Sequence, residues 1–374
     1  MIPIVLIANM NIFHLVKEVP KMKRIVFLIA VAVLACFSVS CKESITDSRP
    51  RIIRPPQDMI WTADTLKGLD QYAQLIPRNL FVFSANDAWL TCWSDIARGL
   101  IWHFDGKAWT ESNIAKDVGG MRIQDINGYS SRDLWACGYT GDEIFLAHYD
   151  GSKWTKYNTN GIKGELLDMC KDADGNIWAC GRNGLIMKYD KTKWNIDYVK
   201  INFSYDAQYF LKGIEIFQEG TYLIATTVNQ VTLDETYYYV KGKMNQWTIV
   251  DSVKLNFVNP QMKWGNYKLF TGLNLSLYST GLLGCWKLAA NNWVNIYNYD
   301  GILYDITGES DNYLILCSAF KTLMHYNGNN WQDFSSSLNV TDPGFVFNNV
   351  WTNGYEAIIT GYKDGDKVIV WRGK

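Results

Sequence analysis

The sequence predicts an all-β protein: a seven-bladed β-propeller of four-stranded blades, closed by an N-terminal strand that completes the last blade. Three observations support this prediction. A strand motif recurs seven times at a nearly constant interval, tight hairpin turns follow most copies, and the last copy lacks a strand that is found at the other end of the chain. Repeats in the forties of residues, built from short strands, are typical of propellers in which each repeat forms one blade.

The recurring motif is a short strand that ends in a small residue. The fullest copies, at 87–92, 133–138 and 176–181, carry Trp two residues before Thr or Cys. Alternation with a period of two predicts strands. The small residue recurs 43 to 46 residues apart, at Thr91, Cys137, Cys180, Thr226, Thr271, Cys317 and Thr360. We expect the large residue to fill the space between blades and the small one to lie where a tapering sheet leaves less room.

A tight hairpin follows most copies of the motif. The clearest turns are Asp105-Gly106 and Asp150-Gly151, and a tryptophan, Trp109 or Trp154, follows each of them. Asp-Gly between two β-rich runs is a strong hairpin signal because both residues accept positive φ. The third and fourth strands of a blade are therefore predicted on either side of this turn, with Trp on the outer strand.

The seventh copy is incomplete. The chain stops at Lys374, where the turn is expected, whereas residues 59–65 have the pattern of an outer strand around Trp61. The N-terminal strand is therefore predicted to complete the last blade, which removes two free sheet edges at once. Residues 59–374 correspond in length to about seven repeats and are assigned to one propeller domain.

The N-terminus resembles the signal of a bacterial lipoprotein. A basic stretch at 21–24 precedes an apolar run at 25–39, and Ser40 precedes Cys41, which in such signals is lipidated and becomes the first mature residue. The predicted organisation is a signal peptide over 1–40, with Met22 as the natural start, and a flexible tether over 41–58. Cleavage at Cys36 and an uncleaved membrane anchor are the alternatives. The resemblance implies an outer-membrane lipoprotein of the cell envelope, facing either the periplasm or the cell surface.

The third repeat resembles a second family. Asp172, Gly175, Trp178 and Gly181 match the repeats of the periplasmic propellers in bacterial two-component regulators. This resemblance implies the propeller fold and, more weakly, a ligand-sensing role, because in those families the propeller senses a ligand that is often of glycan origin.

Metal binding and cofactors are not expected. The histidines His103, His148 and His325 share one repeat position in three different blades, so they do not converge on one site. No two cysteines have CxxC spacing, and the motif cysteines are interpreted as small buried residues.

Trp264 and Trp351 lie outside the repeat template and near turns. They are interpreted either as exposed surface residues or as residues packed in the core. The formal net charge of −1 argues against a nucleic-acid partner.

Ligands of propellers usually meet the face formed by the loops between the second and third strands and between blades. The candidate ligand-binding residues on this face are Tyr139, Asp142, Arg182, Asn183 and Tyr362. Their mixed aromatic and polar character suits a polar ligand. The preferred hypothesis is a non-catalytic, lipid-anchored propeller that binds a glycan, a peptide or a protein partner. The alternatives are a carbohydrate-active enzyme, a lyase or glycosidase with a pocket on this face, and a subunit of a surface uptake or envelope complex.

Overall fold

The computed structural model shows an all-β propeller with six sheets around a central channel. It describes residues 53–67, 74–95, 99–202, 206–256, 258, 260–272, 275–365 and 367–374. The predicted propeller with four-stranded blades is thus confirmed, although the number of blades is not. The predicted signal peptide and the tether as far as residue 52 lie outside the described residues.

Sheets 1 to 4 each contain four consecutive antiparallel strands, ordered along the chain from the channel outward. Sheet 1 comprises β2 (Ile76–Ser84), β3 (Asp87–Trp93), β4 (Leu100–Phe104) and β5 (Trp109–Glu111). Sheet 2 comprises β6 (Arg122–Ser130), β7 (Asp133–Thr140), β8 (Glu143–Tyr149) and β9 (Trp154–Lys156). Sheet 3 comprises β10 (Leu166–Lys171), β11 (Ile177–Gly181), β12 (Leu185–Tyr189) and β13 (Trp194–Tyr198). Sheet 4 comprises β14 (Ala207–Phe217), β15 (Gly220–Asn229), β16 (Glu235–Lys243) and β17 (Gln246–Lys254).

Helical structure among the described residues is short. It consists of one five-residue α-helix, α1 (Ile114–Val118), and 3₁₀ turns at Pro56–Asp58 and Ser335–Leu338. Within the described part of the chain, no helix has the length and apolar character needed to cross a membrane.

Sheet 6 closes the ring with the two ends of the chain. It comprises β24 (Val346–Thr352), β25 (Ala357–Lys363), β26 (Lys367–Gly373) and, as the outermost strand, β1 (Trp61–Lys67). The ladder between β1 and β26 runs from the pair Trp61–Gly373 to the pair Lys67–Lys367. The predicted closure by the N-terminal strand is therefore confirmed. The segment before β1 is also attached, because the backbone N–H of Arg54 donates to the carbonyl of Gly354 at 2.8 Å.

The prediction of seven separate blades is wrong, because sheet 5 contains six strands. They are β18 (Lys268–Phe270), β19 (Tyr278–Ala289), β20 (Asn292–Ser310), β21 (Tyr313–Ser318), β22 (Leu323–Tyr326) and β23 (Trp331–Asp333). Elsewhere a loop separates the outermost strand of one sheet from the innermost strand of the next. In β20 this loop is absent, since Ile302 still pairs with Leu282 while Leu303 already pairs with Ser318. The fifth and sixth repeats are therefore joined in one sheet.

The strand β19 doubles back on itself within sheet 5. Tyr278 and Lys287 are nine residues apart, a distance of about 30 Å in a straight strand, yet both contact Asp311. The Tyr278 hydroxyl donates to its carboxylate at 2.9 Å and the Lys287 ammonium at 2.7 Å. The chain reverses at Leu283 and Gly284, which have φ values of 68° and 130°. Burial opposes ionisation of Asp311, but these donors outweigh it and lower its pKa to about 2.

The prediction that Thr271 is the small residue of the fifth repeat is also wrong. Six of the seven small residues lie in the second strand of their repeat, whereas Thr271 directly follows β18, the innermost strand. The equivalent position in the fifth repeat is occupied by Thr280 of β19, which pairs with Lys268 of the innermost strand. Thr271 falls at the regular interval although it is not the equivalent residue, because β19 begins only at Tyr278, eight residues after the end of β18 at Phe270.

The hydrophobic core lies between neighbouring sheets, as predicted for the large motif residues. Trp135 of sheet 2 packs in one cluster with Ile177 and Trp194 of sheet 3, and only 4% of Trp135 is exposed. The predicted hairpin turn is also found, with Gly106 at a φ of 90°. The six cysteines of the described residues are free and buried, which confirms their interpretation as small core residues: Cys92, Cys137, Cys170, Cys180, Cys285 and Cys317.

Candidate binding site at the channel

The innermost strands share a β-bulge at the same place in six repeats. In each case one residue is inserted opposite the second strand, and the register shifts across it. The inserted residues are Arg78, Gln124, Leu167, Lys212, Tyr304 and Asn348. Each is at least partly exposed, although the residue before it is buried in every case. The bulge therefore turns one side chain per repeat away from the packed sheets, at the centre of the ring.

In three of these repeats the residue after the bulge is an aspartate that fastens one repeat to the next. Asp125 accepts a hydrogen bond from the backbone N–H of Met169 at 2.6 Å, and Asp168 accepts one from Ile214 at 2.8 Å. Asp305 accepts from Val350 at 3.0 Å in the same way. Each donor belongs to the innermost strand of the following repeat. These carboxylates therefore act as clasps between neighbouring repeats, and they satisfy backbone N–H groups that are buried.

The clasp residues explain the small motif residue that the sequence displays. Asp125 pairs with Cys137, Asp168 with Cys180 and Asp305 with Cys317 across the first two strands. Asn79 and Asn349 pair with threonines instead, Thr91 and Thr360. The Thr360 hydroxyl donates to the Asn349 side-chain oxygen at 3.0 Å. A small residue is needed here because the clasp side chain occupies the adjacent space.

The fifth repeat places a lysine where other repeats have a clasp carboxylate. The Lys268 ammonium lies 3.6 Å from Asp168, and 30% of its side chain stays accessible although it is at the centre of the molecule. Burial would lower the pKa of Lys268, but the surrounding carboxylates of Asp168, Asp305 and Asp125 raise it above its ordinary value. Lys268 therefore remains charged and offsets part of the negative charge of the clasps.

We expect the stability of the folded protein to fall between pH 5 and pH 8 through Glu215. Burial, with a smaller contribution from the charge of Asp168, raises the pKa of Glu215 from 4.5 to about 8. In this window the folded protein holds a proton that the unfolded chain has released. The free energy of unfolding therefore decreases as pH rises, by at most about 1.4 kcal/mol per pH unit for one group. Asp305, with its pKa raised to about 6 by burial, adds to the decrease at the lower end.

Melting temperatures measured from pH 5 to pH 8 test this expectation. The decrease should be smaller in Glu215→Gln than in the unmodified protein. Glu219→Gln is the matched control, because the side chain of Glu219 is 96% exposed. Equal slopes for Glu215→Gln and the unmodified protein would contradict the assignment.

The channel mouth combines arginines, a lysine and aromatic rings. The Arg122 guanidinium lies 5.6 Å from the centre of the Trp93 ring, and the Lys212 ammonium lies 5.5 Å from that of Tyr237. Arg78 is exposed, and within the described residues Arg78, Arg122 and Lys212 form no ion pair. These three cations are therefore available to an anionic group from outside.

Three tyrosines meet beside Arg78: Tyr304 of sheet 5, Tyr267 directly before the first strand of that sheet, and Tyr362 of sheet 6. The Tyr267 and Tyr304 ring centres are 5.5 Å apart, and 43% of Tyr267 is exposed. Burial raises the pKa of Tyr267 and Tyr362, and the charge of Arg78 opposes the rise in both. The three rings and the guanidinium thus line one entrance, which offers hydroxyl groups, ring faces and a positive charge.

The structure distributes the five predicted ligand-binding residues over this face. Tyr362 lies near Arg78, and Tyr139 pairs with Arg122 across β6 and β7, so both adjoin the channel mouth. Arg182 lies 3.5 Å from Glu165 and 5.6 Å from the Phe210 ring centre. Asn183 occupies a turn with a φ of 60°. Asp142 is paired with Lys163 at 3.1 Å on the exposed rim. Ligand binding by these five residues stays a prediction.

Two other predicted features have structural partners. The Asp172 carboxylate of the third repeat accepts from the Trp178 indole at 2.9 Å and from the Asn176 backbone at 2.7 Å, so it orders its own turn. His103 contacts Asp87 at 3.0 Å and His148 contacts Asp133 at 2.8 Å, in equivalent places of sheets 1 and 2. These contacts agree with structural roles for the aspartate and for both histidines.

Sequence reasoning missed the clasp and bulge residues, although a signal was present. In four repeats an Asp or Asn lies 12 residues before the marker, in a pattern of apolar residue, any residue, Asp or Asn, apolar residue, as in Ile123-Gln124-Asp125-Ile126 before Cys137. The carboxylates of this pattern stand between apolar residues of a strand that is buried on both sides. A charged residue in such a place points to a buried partner.

No protein-family model matches the chain. The immune protein Tsi7 of Pseudomonas aeruginosa strain PAO1 is 30% identical over 76 residues, which are 20% of this chain and 23% of that protein. This match spans less than a quarter of the relative and shows no family membership.

Similar solved structures agree with the fold. A structure of YCF48 bound to D1 peptide matches with a TM-score of 0.55 at 14% identity, covering 87% of this chain and 96% of that one. YCF48 from Cyanidioschyzon merolae gives 0.53 at 11% identity, with 83% and 98% covered. The WD40 β-propeller domain of Doa1 gives 0.52 at 12% identity, with 83% and 96% covered. At these identities the likeness shows a β-propeller fold alone.

Proposed function

We propose that this protein is a non-catalytic binding propeller that holds a carboxylate-bearing peptide segment of a partner protein at its channel mouth. The observation that carries the proposal is the set of three cations that form no ion pair within the described residues and lie beside aromatic rings, namely Arg78, Arg122 and Lys212. A guanidinium donates two parallel hydrogen bonds to a carboxylate, and neighbouring rings pack against the apolar parts of a peptide. A propeller of similar fold, YCF48, has been solved with a peptide bound, which supports this class of ligand.

The carboxylates of the channel favour binding over catalysis. Glycosidases need two carboxyl groups that are free to exchange protons with a substrate between them. Here Asp125, Asp168 and Asp305 each accept a backbone N–H of the next repeat, so their oxygens are engaged in holding the ring together. We therefore place the ligand above them, on the cations and tyrosines of the mouth.

We expect Arg78→Ala to weaken binding of an acidic peptide at least tenfold. The probe is hexaglutamate, with hexalysine and trigalacturonic acid for comparison, and binding is measured by calorimetry. Loss of one charged hydrogen-bond partner costs about 1.5–3 kcal/mol, which corresponds to about a 10- to 100-fold change in Kd. Arg132→Ala is the matched control, because Arg132 is an exposed arginine in the turn between β6 and β7, at the opposite end of sheet 2.

Three outcomes of this experiment decide the proposal. Saturable binding of hexaglutamate that Arg78→Ala weakens and Arg132→Ala preserves would support it. Binding of trigalacturonic acid alone would reassign the ligand to acidic glycans. Equal binding by both variants, or no saturation with either anion, would contradict an anion site at the channel mouth.

We also propose that a lipid on Cys41 tethers the propeller to the outer membrane of the cell envelope. The proposal rests on the basic, apolar and Ser-Cys pattern of residues 21–41. Cys41→Ala is expected to move most of the protein from the membrane fraction to the soluble fraction in cell fractionation. Cys36→Ala serves as the control, and loss of membrane association only in that variant would reassign the lipidated residue.

A further inference from the structure

A second cavity lies on the outer rim between sheets 4 and 5. It has a volume of about 540 Å³, and its wall includes Trp264, Trp293, Asp251, Lys263 and Asn295. Val250 adds an apolar surface that is 49% exposed. The channel mouth contains none of these residues, so the cavity is independent of the site of the proposed function.

The cavity occupies the place of a contact that the preceding pair of sheets makes. Between sheets 3 and 4, the indole N–H of Trp247 donates to the Asp197 carboxylate at 2.7 Å. Trp293 and Asp251 are the corresponding residues between sheets 4 and 5. Each aspartate follows the outer-strand tryptophan of its own sheet, Asp197 by three residues and Asp251 by four. The extra residue is accommodated by a register shift in β17, where Tyr239 pairs with Asp251 and Val240 with Ile249.

The shifted aspartate has a different partner. The Lys263 ammonium contacts both oxygens of Asp251, at 2.9 and 2.8 Å. Within the described residues, the indole N–H of Trp293 is consequently buried without an acceptor, and so is that of Trp264. Only 1% of Trp264 is exposed. A buried donor without an acceptor is unfavourable, so a ligand that supplies an acceptor there gains the free energy of that hydrogen bond.

The chemistry of the wall selects the class of ligand. Indole N–H groups only donate, and they require hydroxyl or carbonyl oxygens from the ligand. The side chains of Asn291, Asn292 and Asn295 both donate and accept. The charges of Asp251 and Lys263 offset each other, so the wall favours neither an anion nor a cation. Aromatic and aliphatic surface beside these groups matches the C–H faces of a sugar ring.

We propose that this cavity is a binding site for a neutral saccharide of two or three units. Hydroxyl or N-acetyl oxygens of the sugar accept hydrogen bonds from the indole N–H groups of Trp264 and Trp293. The asparagine amides bind further hydroxyl groups. The site therefore gives the propeller a glycan contact on its rim, separate from the cations at its centre.

The test measures binding of three neutral trisaccharides, maltotriose, cellotriose and chitotriose, to the full chain. The reporters are the indole N–H resonances in a ¹⁵N correlation spectrum, which need no mutation. We expect a saturable shift of the Trp293 resonance, and of the Trp264 resonance with it, with at least one of the sugars. Trp293→Phe keeps the ring and removes the donor, and it should weaken binding at least tenfold. Trp247→Phe is the matched control, because its indole is already paired with Asp197, and its Kd should stay unchanged.

The outcomes distinguish this proposal from that of the channel mouth. Saturation that Trp293→Phe weakens and Arg78→Ala leaves unchanged supports the rim site. The proposal is overturned if no neutral sugar shifts either indole resonance at about 50 mM, or if Trp293→Phe binds as tightly as the unmodified protein. Tighter binding of trigalacturonic acid or trilysine at this site would overturn its assignment to neutral sugars.

Discussion

A chain that begins at Leu75 should melt at least about 10 °C below one that begins at Ile53. The shorter chain lacks β1, so β26 becomes an unpaired edge and sheet 6 keeps three strands. It also loses Met59 and Leu66, which are only 6% and 4% exposed. Burial of two such side chains is worth about 3–6 kcal/mol in total, before the seven-residue ladder is considered. In a domain of this size, 1 kcal/mol shifts the melting temperature by about 2 °C.

Both chains lack residues 1–52, so the difference between their melting temperatures reports only the contribution of residues 53–74. Differential scanning calorimetry gives the two melting temperatures, and light scattering reports association through the free edge of β26. A synthetic peptide of residues 56–67, added to the shorter chain, should restore part of the lost stability by pairing in place of β1. Equal melting temperatures would show that the ring does not depend on its closing strand.

Asp168→Ala is expected to be the most destabilising single substitution, at about 3–5 kcal/mol. It removes the carboxylate nearest to Lys268, at 3.6 Å, and the acceptor of the Ile214 backbone N–H. Removal of one partner from an ion pair at the centre of the molecule leaves the charge of Lys268 to the more distant carboxylates of Asp305 and Asp125, and this weaker compensation accounts for most of the cost. Urea denaturation measures the change through the midpoint at a constant slope.

Two further variants separate the contributions of charge and hydrogen bonding. Adding Lys268→Met to Asp168→Ala should recover part of the lost stability, because the unpaired ammonium is gone. Asp142→Ala removes the carboxylate of a shorter pair, 3.1 Å from Lys163, and should barely change the midpoint because both groups are exposed. If Lys268→Met brings no recovery, the ion pair is not the cause of the destabilisation.

The fold could be predicted from the sequence wherever a local pattern determines the structure. The Asp-Gly turn before Trp109 and the outer-strand pattern around Trp61 predicted a hairpin and the ring closure, and both are found. The merging of two repeats in sheet 5 was not predictable in this way. It depends on whether Ile302 and Leu303 form a loop or stay extended between two ladders, and the spacing of the markers is the same in both cases.

The candidate site was predictable only in part, because distant repeats contribute to it. The loop pattern led to Tyr362 and Arg182, which the structure places next to Arg78 and Phe210. Arg78 itself stands in an ordinary strand pattern, Pro77-Arg78-Asn79-Leu80. Only the bulge, which changes the direction of a single side chain, brings it to the channel. The rim cavity likewise arises from one extra residue in β17, and no motif marks it.

The repeated bulge separates positions that tolerate substitution from positions that the ring needs for its stability. After four of the six bulges, the next residue holds neighbouring repeats together through its side chain, namely Asp125, Asp168, Asp305 and Asn349. The inserted residue differs in all six cases. Asn348 also bonds to the next repeat, because its amide donates to the Pro77 carbonyl at 2.9 Å. Substitutions at the other five inserted residues, Arg78, Gln124, Leu167, Lys212 and Tyr304, can therefore alter selectivity with small effects on folding. A library randomised at these five positions would offer one stable scaffold for many ligands, and evolution has the same freedom.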